Sequence, residues 1–341
     1  MPTSDSSASG SRRSRTASKP RGRGVRTVLS LEQQLARLNR DLEEEISKHH
    51  SPARKGSPAA PASSLTQTFF ELVAELEKIS SSERADEFGL DPEFEELIAP
   101  FFVFLYRKWW RVDVEGVDNV PSSGPALLVA NHSGAMFPWD GAMLKVALRL
   151  DHPAARELRP LIENLAFRMP FVGSFMTRAG GVRACPENAT RLLQCGEVVA
   201  VFPEGVRGMG KSFAERYHLQ RFGRGGFVSI CLRTAAPLVP VAIIGAEEIH
   251  PLLATWKWPA RILGLPYVPI TPTFPWLGAL GLVPLPTKWT IRFGEPMDLS
   301  ARYGANRADD PVLIDRISAD VQERIQEMVD EMLKERRSVF F

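Results

Sequence analysis

The chain has 341 residues, of which 44% are hydrophobic and 24% charged, with a formal net charge of +2. These proportions are ordinary for a globular protein, and the length suits one large domain with appendages or two small domains. Cys185, Cys195 and Cys231 are widely spaced and form no CxxC, which argues against a zinc site or a disulfide scaffold and fits a reducing compartment.

The near-neutral total hides an uneven distribution. Met1 to Ser30 hold six arginines and one lysine against a single aspartate. This Ser/Arg/Gly-rich stretch is poor in apolar residues and is expected to be disordered. Its charge suits an anionic surface, a membrane before nucleic acid, or serves only as a solubilising tail. It has no apolar core segment, so no cleavable signal peptide is expected. Ser30 and Gln33 fit a capping box. Leu31, Leu35, Leu38, Leu42 and Ile46 then repeat at spacings of four and three. That pattern reads as one amphipathic helix over 31–50, or as a short coiled-coil seam over 31–46 that would allow self-association. Ser51 to Ser64 is a Pro/Ala/Ser linker, and the folded domain is expected over 65–341.

Within 65–110 two helices are expected. Thr68 to Ile79 places Phe69, Leu72, Val73, Leu76 and Ile79 on one face. Phe94 to Trp110 is apolar in its middle and ends in Tyr106, Arg107, Lys108, Trp109 and Trp110, an aromatic and basic mixture favoured at a membrane interface. A core helix capped by surface cations is the competing reading. No stretch reads as a membrane-spanning helix, which needs roughly 20 apolar residues. Ile262 to Pro286 carries no charge but includes Pro266, Pro269, Pro272, Pro275, Pro284 and Pro286, which an unbroken helix does not tolerate. It is read either as a loop lying at a membrane interface or as a loop packed on the domain.

From Val112 onward, short apolar runs alternate with helical patterns. Strands are expected at Val112–Val114, Ala126–Ala130, Val198–Phe202, Leu238–Ile244 and Trp289–Phe293. Helices are expected at Gly141–Leu150, Asn188–Cys195, Gly225–Thr234 and Pro311–Arg337. This alternation specifies an α/β core over 111–300, followed by a C-terminal helix over 311–337.

Chemistry gathers where two of these strands end. Ala126–Ala130 runs into Asn131-His132-Ser133-Gly134, and Asp140 follows in Pro138-Trp139-Asp140-Gly141. A strand end is a rigid platform whose polar groups face a cleft. A histidine with a nearby carboxylate is the minimum kit for a general base held in one tautomer. The small residues beside it let a substrate approach closely. Ser133 is adjacent in the chain to His132, so their side chains diverge, and no GxSxG elbow occurs. The second strand delivers Phe202-Pro203-Glu204-Gly205-Val206-Arg207. There the Arg207 guanidinium matches phosphate or carboxylate oxygens, or forms a local ion pair with Glu204 that fixes the turn. Gly180-Gly181-Val182-Arg183 offers a further cation. Gly205 to Ser212 also matches the phosphate-loop pattern GxxxxGK[ST], but the following segment is polar and broken by Gly223, Gly225 and Gly226. The strand over 239–244 offers no aspartate at its exit for magnesium. A nucleotide-binding protein is therefore an alternative, as is a non-catalytic lipid-binding module.

Four blocks in order resemble the glycerolipid acyltransferase superfamily, the lysophosphatidic acid acyltransferase-like group. They are Asn131–Asp140, Gly180–Arg183, Phe202–Arg207 and Pro237–Ala242, and the similarity covers about Val112 to Pro296. Val206 stands where the family's Phe-Pro-Glu-Gly-Thr-Arg block has threonine. Seven residues separate His132 from Asp140 where the family usually has four, as in a variant branch with a longer insert that includes enzymes acting on neutral acceptors. The resemblance implies a mixed, mostly parallel sheet flanked by helices. It implies direct acyl transfer from acyl-CoA or acyl-carrier protein to a lipid hydroxyl, with His132 and Asp140 catalytic. Glu204, Gly205 and Arg207, with Arg183, Asn131 and Gly134, would bind substrate. No metal or other cofactor is expected, and the protein is expected at the cytoplasmic face of a membrane.

Overall fold

The central apolar runs become strands that are covered on both sides. The computed structural model describes residues 85–133, 137–168, 172–258, 260 and 267–341. The basic tail, the 31–46 seam, the 51–64 linker, the Thr68–Ile79 helix and Gly134 lie outside the described residues. The described strands are β1 (Asp113–Glu115), β2 (Ala126–Ala130), β3 (Leu158–Ile162), β4 (Val182–Arg183), β5 (Val198–Val201), β6 (Leu238–Ile244), β7 (Ala254–Trp256), β8 (Val268–Ile270) and β9 (Thr290–Phe293). Seven of them form one sheet in the order β1-β9-β6-β2-β5-β3-β4, while β7 and β8 form a separate antiparallel pair. All neighbours in the large sheet are parallel except β6 and β9. The sheet is thus mixed and mostly parallel, with helices on both faces.

The side-chain alternation of the central strands divides the core in two. Leu127, Val129, Val199 and Leu238 face one side. Ala126, Leu128, Ala130, Val198, Ala200 and Val239 face the other. Because both faces are buried, β2 and β6 read as unbroken apolar runs rather than as alternating ones.

Two helices cover the second face. One is α1 (Pro92–Phe104), which passes into a π-helical turn over Leu105–Trp109, and the other is α2 (Trp139–Leu150). After α3 (Val172–Arg178), the first face is covered by α4 (Pro186–Gln194) and, beyond the single turn α5 (Val206–Met209), by α6 (Gly226–Thr234). The short α7 (Leu299–Tyr303) precedes α8 (Pro311–Glu335), which completes that cover. Both α1 and α8 start the same way. An aspartate, Asp91 or Asp310, accepts hydrogen bonds from two backbone N–H groups of the first turn, and a proline follows it. The aspartate satisfies orphan donors and the proline has none to satisfy.

Several boundaries differ from the sequence reading. The strands expected at Val112–Val114, Val198–Phe202 and Trp289–Phe293 shift or shorten by one residue, whereas β2 and β6 match. Helix α2 begins at Trp139, two residues early, so that Asp140 falls in its first turn. The helix expected up to Trp110 changes pitch at Leu105, where Trp110 N–H bonds to Leu105 C=O at 2.8 Å, an i to i+5 closure. Helix α8 ends at Glu335 rather than Arg337. Strands β3, β7 and β8 and helices α3, α5 and α7 have no counterpart in the sequence reading, and Val182 and Arg183, read there as part of a glycine-containing block that offers a cation, form the short β4.

Candidate active site

Strands β5, β2 and β6 are adjacent and parallel, with Val129 opposite Val201 and Ala130 opposite Val241. Their carboxyl ends therefore open on one edge of the sheet, where ligands of parallel α/β sheets characteristically bind. Three loops leave from that edge. Asn131-His132-Ser133 follows β2, Phe202-Pro203-Glu204 follows β5, and Gly245-Ala246-Glu247 follows β6.

His132 and Asp140 meet there. The imidazole Nδ1 lies 2.7 Å from Asp140 Oδ2. The carboxylate is fully buried and the histidine is 7% exposed. The same Oδ2 accepts from the Ser133 backbone N–H at 2.8 Å, and Oδ1 accepts from Gly141 N–H at 2.8 Å. A carboxylate that only accepts requires the proton to sit on Nδ1, which leaves Nε2 with a free lone pair. Nε2 has no hydrogen-bond partner among the described residues. Position in the first turn of α2 adds the favourable end of the helix dipole to the stabilisation of Asp140. Burial alone pulls the His132 pKa down, but the charge and hydrogen bond of Asp140, with the charge of Glu204, outweigh it and hold the pKa above its usual value. The Phe202 ring packs against the imidazole with centroids 4.7 Å apart.

Behind this pair runs a buried ionic chain. Glu204 Oε1 accepts from the His132 backbone N–H at 2.7 Å, and its Oε2 accepts from Gln220 N–H at 2.6 Å. The Lys211 ammonium lies 3.4 Å from Glu204 Oε2 and 2.9 Å from Glu247 Oε1. Glu247 Oε2 accepts from the Tyr217 backbone N–H at 3.0 Å. Burial holds the Glu247 pKa above the usual carboxylate range even though Lys211 pulls it back. Three loops are thereby tied to one another, and the His132 backbone is fixed at both its strand and its Glu204 contact.

The turn after β5 also depends on small residues. Gly205 adopts φ +56°, a left-handed value that favours glycine. A Cβ on Gly208 would stand 2.7 Å from Glu204 Cβ and 3.0 Å from His132 Cβ. Only a hydrogen fits between α5 and the histidine loop.

The residues singled out from the sequence thus divide into groups. His132, Asp140, Glu204 and Gly205 converge. Asn131 faces the sheet, where its amide exchanges hydrogen bonds of 3.0 and 2.8 Å with the Ile243 backbone and extends the β2–β6 pairing by one rung. Glu204 is turned inward on backbone N–H groups. Arg207 is exposed and makes no ion pair among the described residues. Arg183 is exposed as well, 5.6 Å from the Phe167 ring, and Gly134 is outside the described residues. Lys211 belongs to the chain of buried carboxylates, and the helix behind the Gly205–Ser212 pattern lasts only from Val206 to Met209. An ammonium spent on two carboxylates at the end of a one-turn helix is not a phosphate-loop lysine. Sequence reasoning missed the roles of Lys211 and Glu247 because their pairing spans 36 positions and carries no local signature.

A small cleft of about 20 Å³ opens beside this edge, lined by Ser133, Gly208 and Leu252 among others. The next residue, Leu253, is 59% exposed and begins an apolar surface that includes Trp256, Trp258, Trp276, Leu277, Leu280 and Leu282. The described part of the proline-rich segment is divided: Val268, Ile270, Phe274 and Leu285 are partly buried and Pro284 and Leu285 accept from the Trp109 and Trp110 indoles, while Trp276, Leu277, Leu280 and Leu282 face outward. Among the described residues no helix is long and apolar enough to cross a membrane.

Comparison with known proteins gives four further findings. The Acyltransferase family model matches residues 111–244, which contain the whole His132–Asp140–Glu204 arrangement. An uncharacterized protein of Mycobacterium tuberculosis is 46% identical over 311 residues, covering 91% of this chain and 86% of that protein. The bovine DGAT1/2-independent enzyme synthesizing storage lipids is 23% identical over 170 residues, 49% of each chain. Among solved structures, the 1-acyl-sn-glycerophosphate acyltransferase PlsC of Thermotoga maritima is 19% identical with a TM-score of 0.46, over 80% of this chain and 90% of that one.

Proposed function

The chain belongs to the glycerolipid acyltransferase superfamily, and on that premise we propose that it moves a fatty acyl group from an acyl thioester, acyl-CoA or acyl-carrier protein, to a glycerolipid or lysophospholipid hydroxyl. The observation that carries the reading is the buried Asp140 carboxylate 2.7 Å from Nδ1 of a strand-end histidine whose other nitrogen is free. His132 Nε2 takes the proton from the acceptor hydroxyl as its oxygen attacks the thioester carbonyl carbon. The tetrahedral adduct collapses, the C–S bond breaks, and the departing thiolate receives the proton from the imidazolium. A thiolate leaves readily, so neither a strong acid nor a covalent acyl-enzyme is needed.

Asp140 fixes the tautomer and stabilises the imidazolium formed during transfer. The nearby backbone N–H groups of His132, Ser133 and Gly141 are already spent on Glu204 and Asp140. The developing oxyanion must therefore find another donor, and exposed Arg207, which precedes the Gly208 that packs on His132, is the cation we assign to it or to an acceptor phosphate. The exposed tryptophans and leucines beside the cleft support a peripheral position on a membrane surface, where aromatic side chains partition well. The three free cysteines accord with the cytoplasmic face.

The test is thiol release from palmitoyl-CoA across a panel of lipid alcohols, with and without His132→Ala. Loss of a general base lowers turnover by about 10²–10⁴-fold. A variant that keeps full activity removes His132 from the mechanism. Liposome binding by the wild-type chain without thiol release would favour a non-catalytic lipid-binding module instead.

A further inference from the structure

The cleft beside Ser133 holds two polar side chains for which the proposed transfer has no role. His250 is 96% buried by its 4% exposure, lines the cleft and has no hydrogen-bond partner among the described residues. Burial pushes its pKa down to about 4, so at neutral pH the ring is uncharged, with one N–H to donate and one lone pair to accept. Arg216 lines the same cleft. Its Nη1 donates to Phe213 C=O at 3.0 Å and its guanidinium lies 4.3 Å from the Phe213 ring centroid. Its Nε is buried without an acceptor, and it forms no ion pair with a carboxylate among the described residues. The remaining charges of the lining offset each other, because Lys211 is held by Glu247 at 2.9 Å and both Glu247 oxygens are occupied.

The buried Nε is out of a ligand's reach, so a ligand oxygen would meet the Nη groups, of which only Nη1 has an acceptor among the described residues. Guanidinium geometry also matches the oxygens of a phosphoryl group better than an ammonium does. The cleft is small, about 20 Å³, so it takes the tip of a polar head group and not a whole acyl-CoA. It reaches Ser133, whose neighbour His132 is the base of the proposed transfer, and Gly208, which packs on His132. A ligand seated there lies against Ser133 at one contact and Leu252 at another.

We propose that Arg216 and His250 form a phosphoryl-binding subsite next to His132, with Arg216 supplying the charge and His250 a ring N–H. The subsite deepens the acyl-transfer reading and rests on it for its choice of ligands. Two substrates of that reaction carry phosphoryl groups: a phosphorylated lipid acceptor and coenzyme A.

The experiment separates the two sources. Calorimetric titration of the purified full chain with coenzyme A, with 1-oleoyl lysophosphatidic acid below its micellar concentration, and with 1-oleoylglycerol gives dissociation constants for wild type, Arg216→Met, Arg216→Lys and His250→Phe. Loss of a charge-assisted hydrogen bond weakens binding by about tenfold or more. Arg216→Met should impose that loss on one phosphorylated ligand, Arg216→Lys should restore part of it, and 1-oleoylglycerol should be unaffected. The ligand that responds is the one whose phosphoryl group occupies the subsite. His250→Phe should weaken the same ligand by a smaller factor. If both phosphorylated ligands bind folded Arg216→Met within twofold of wild type, or if wild type binds neither, the subsite is overturned. Thiol release is read in parallel. A chain that binds through Arg216 but releases no thiol loses the acyl-transfer reading and keeps the subsite. A chain that turns over, with every affinity unmoved by Arg216→Met, keeps the transfer and loses the subsite.

Discussion

Asp140→Asn puts the central geometry to its hardest test, because the change is nearly isosteric and removes only charge and acceptor capacity. In the native site Oδ2 receives two N–H groups, His132 Nδ1 at 2.7 Å and Ser133 N at 2.8 Å, while Oδ1 receives Gly141 N at 2.8 Å. An asparagine amide can serve only one side. With its oxygen toward His132, its NH₂ faces the Gly141 N–H, donor against donor. With its nitrogen toward His132, the ring must accept at Nδ1 and carry its proton on Nε2, the wrong tautomer for a base. The first arrangement leaves a buried donor unsatisfied, at about 1–3 kcal/mol of stability. The second removes general-base catalysis, about 10²–10⁴ in turnover, equivalent to about 3–5 kcal/mol of barrier. The assay is thiol release from palmitoyl-CoA as a function of pH, with thermal unfolding as the control for folding. In wild type, burial lowers the His132 pKa but Asp140 and Glu204 raise it more. Activity needs the neutral ring, so kcat/KM should climb with pH and level off above that raised pKa. Stability runs the opposite way: the imidazolium–Asp140 pair contributes fully below the unfolded-state pKa and its contribution is lost as pH rises through the folded one. Asparagine removes the largest raising cause and leaves burial, so the kinetic inflection should move toward acid. Turnover within threefold of wild type, with the inflection unmoved, would refute the assignment of Asp140.

Three other changes probe the surroundings. Gly208→Ala places a methyl 3.0 Å from His132 Cβ and 2.7 Å from Glu204 Cβ; kcat should fall on the order of 10²-fold through displacement of the imidazole, and unchanged kinetics would show that α5 and the histidine loop separate freely. Lys211→Met leaves Glu204 and Glu247 buried without their cation, so the fold should lose about 3–5 kcal/mol in chemical denaturation. Glu247 already has a raised pKa, so this deficit should be smallest in acid and grow as pH rises through the folded-state value; a pH-independent deficit would contradict the ionic account. Replacing Trp256, Trp258 and Trp276, which are 52%, 71% and 72% exposed, with serine should cut liposome co-sedimentation by about tenfold per residue, at ~1.5 kcal/mol for ~60 Å² of apolar area each. Turnover of a water-soluble short-chain substrate should be unaffected, and undiminished liposome binding would remove this surface from membrane contact.

The legibility of the fold followed burial. Strands β2 and β6 were bounded to the residue because each is an apolar run buried on both faces, closed by polar or small residues. Strand β3, Leu-Arg-Pro-Leu-Ile, was missed for the complementary reason. It interrupts its apolar pattern with Arg159, which is buried through a hydrogen bond to Gly180 C=O and a pair with Asp86, and with Pro160. Both depart from strand composition, and only long-range contacts make them tolerable. The β7–β8 pair escaped because each strand has only three residues and β8 carries Pro269 at its centre, which departs from strand composition. All three residues of β7 are exposed, so no core imposed a period on them.

The same distinction explains the site. A histidine and an aspartate eight positions apart were recognised because both lie beside the end of one strand, and the start of α2 at Trp139 swings Asp140 back onto His132 across the intervening loop. The longer spacing is therefore compatible with the 2.7 Å contact, since helix position rather than residue count sets where the carboxylate stands. Lys211 shows the converse. Its letters match a phosphate loop, yet in a phosphate loop the lysine is left uncovered for a ligand, and here Glu204 from its own loop and Glu247 from the end of β6 reach it first. Local pattern fixes which side chain leaves a strand. The partner waiting at the neighbouring strand ends decides what that side chain does, which is why the buried ionic chain behind His132, unlike His132 itself, becomes visible only when β5, β2 and β6 stand side by side.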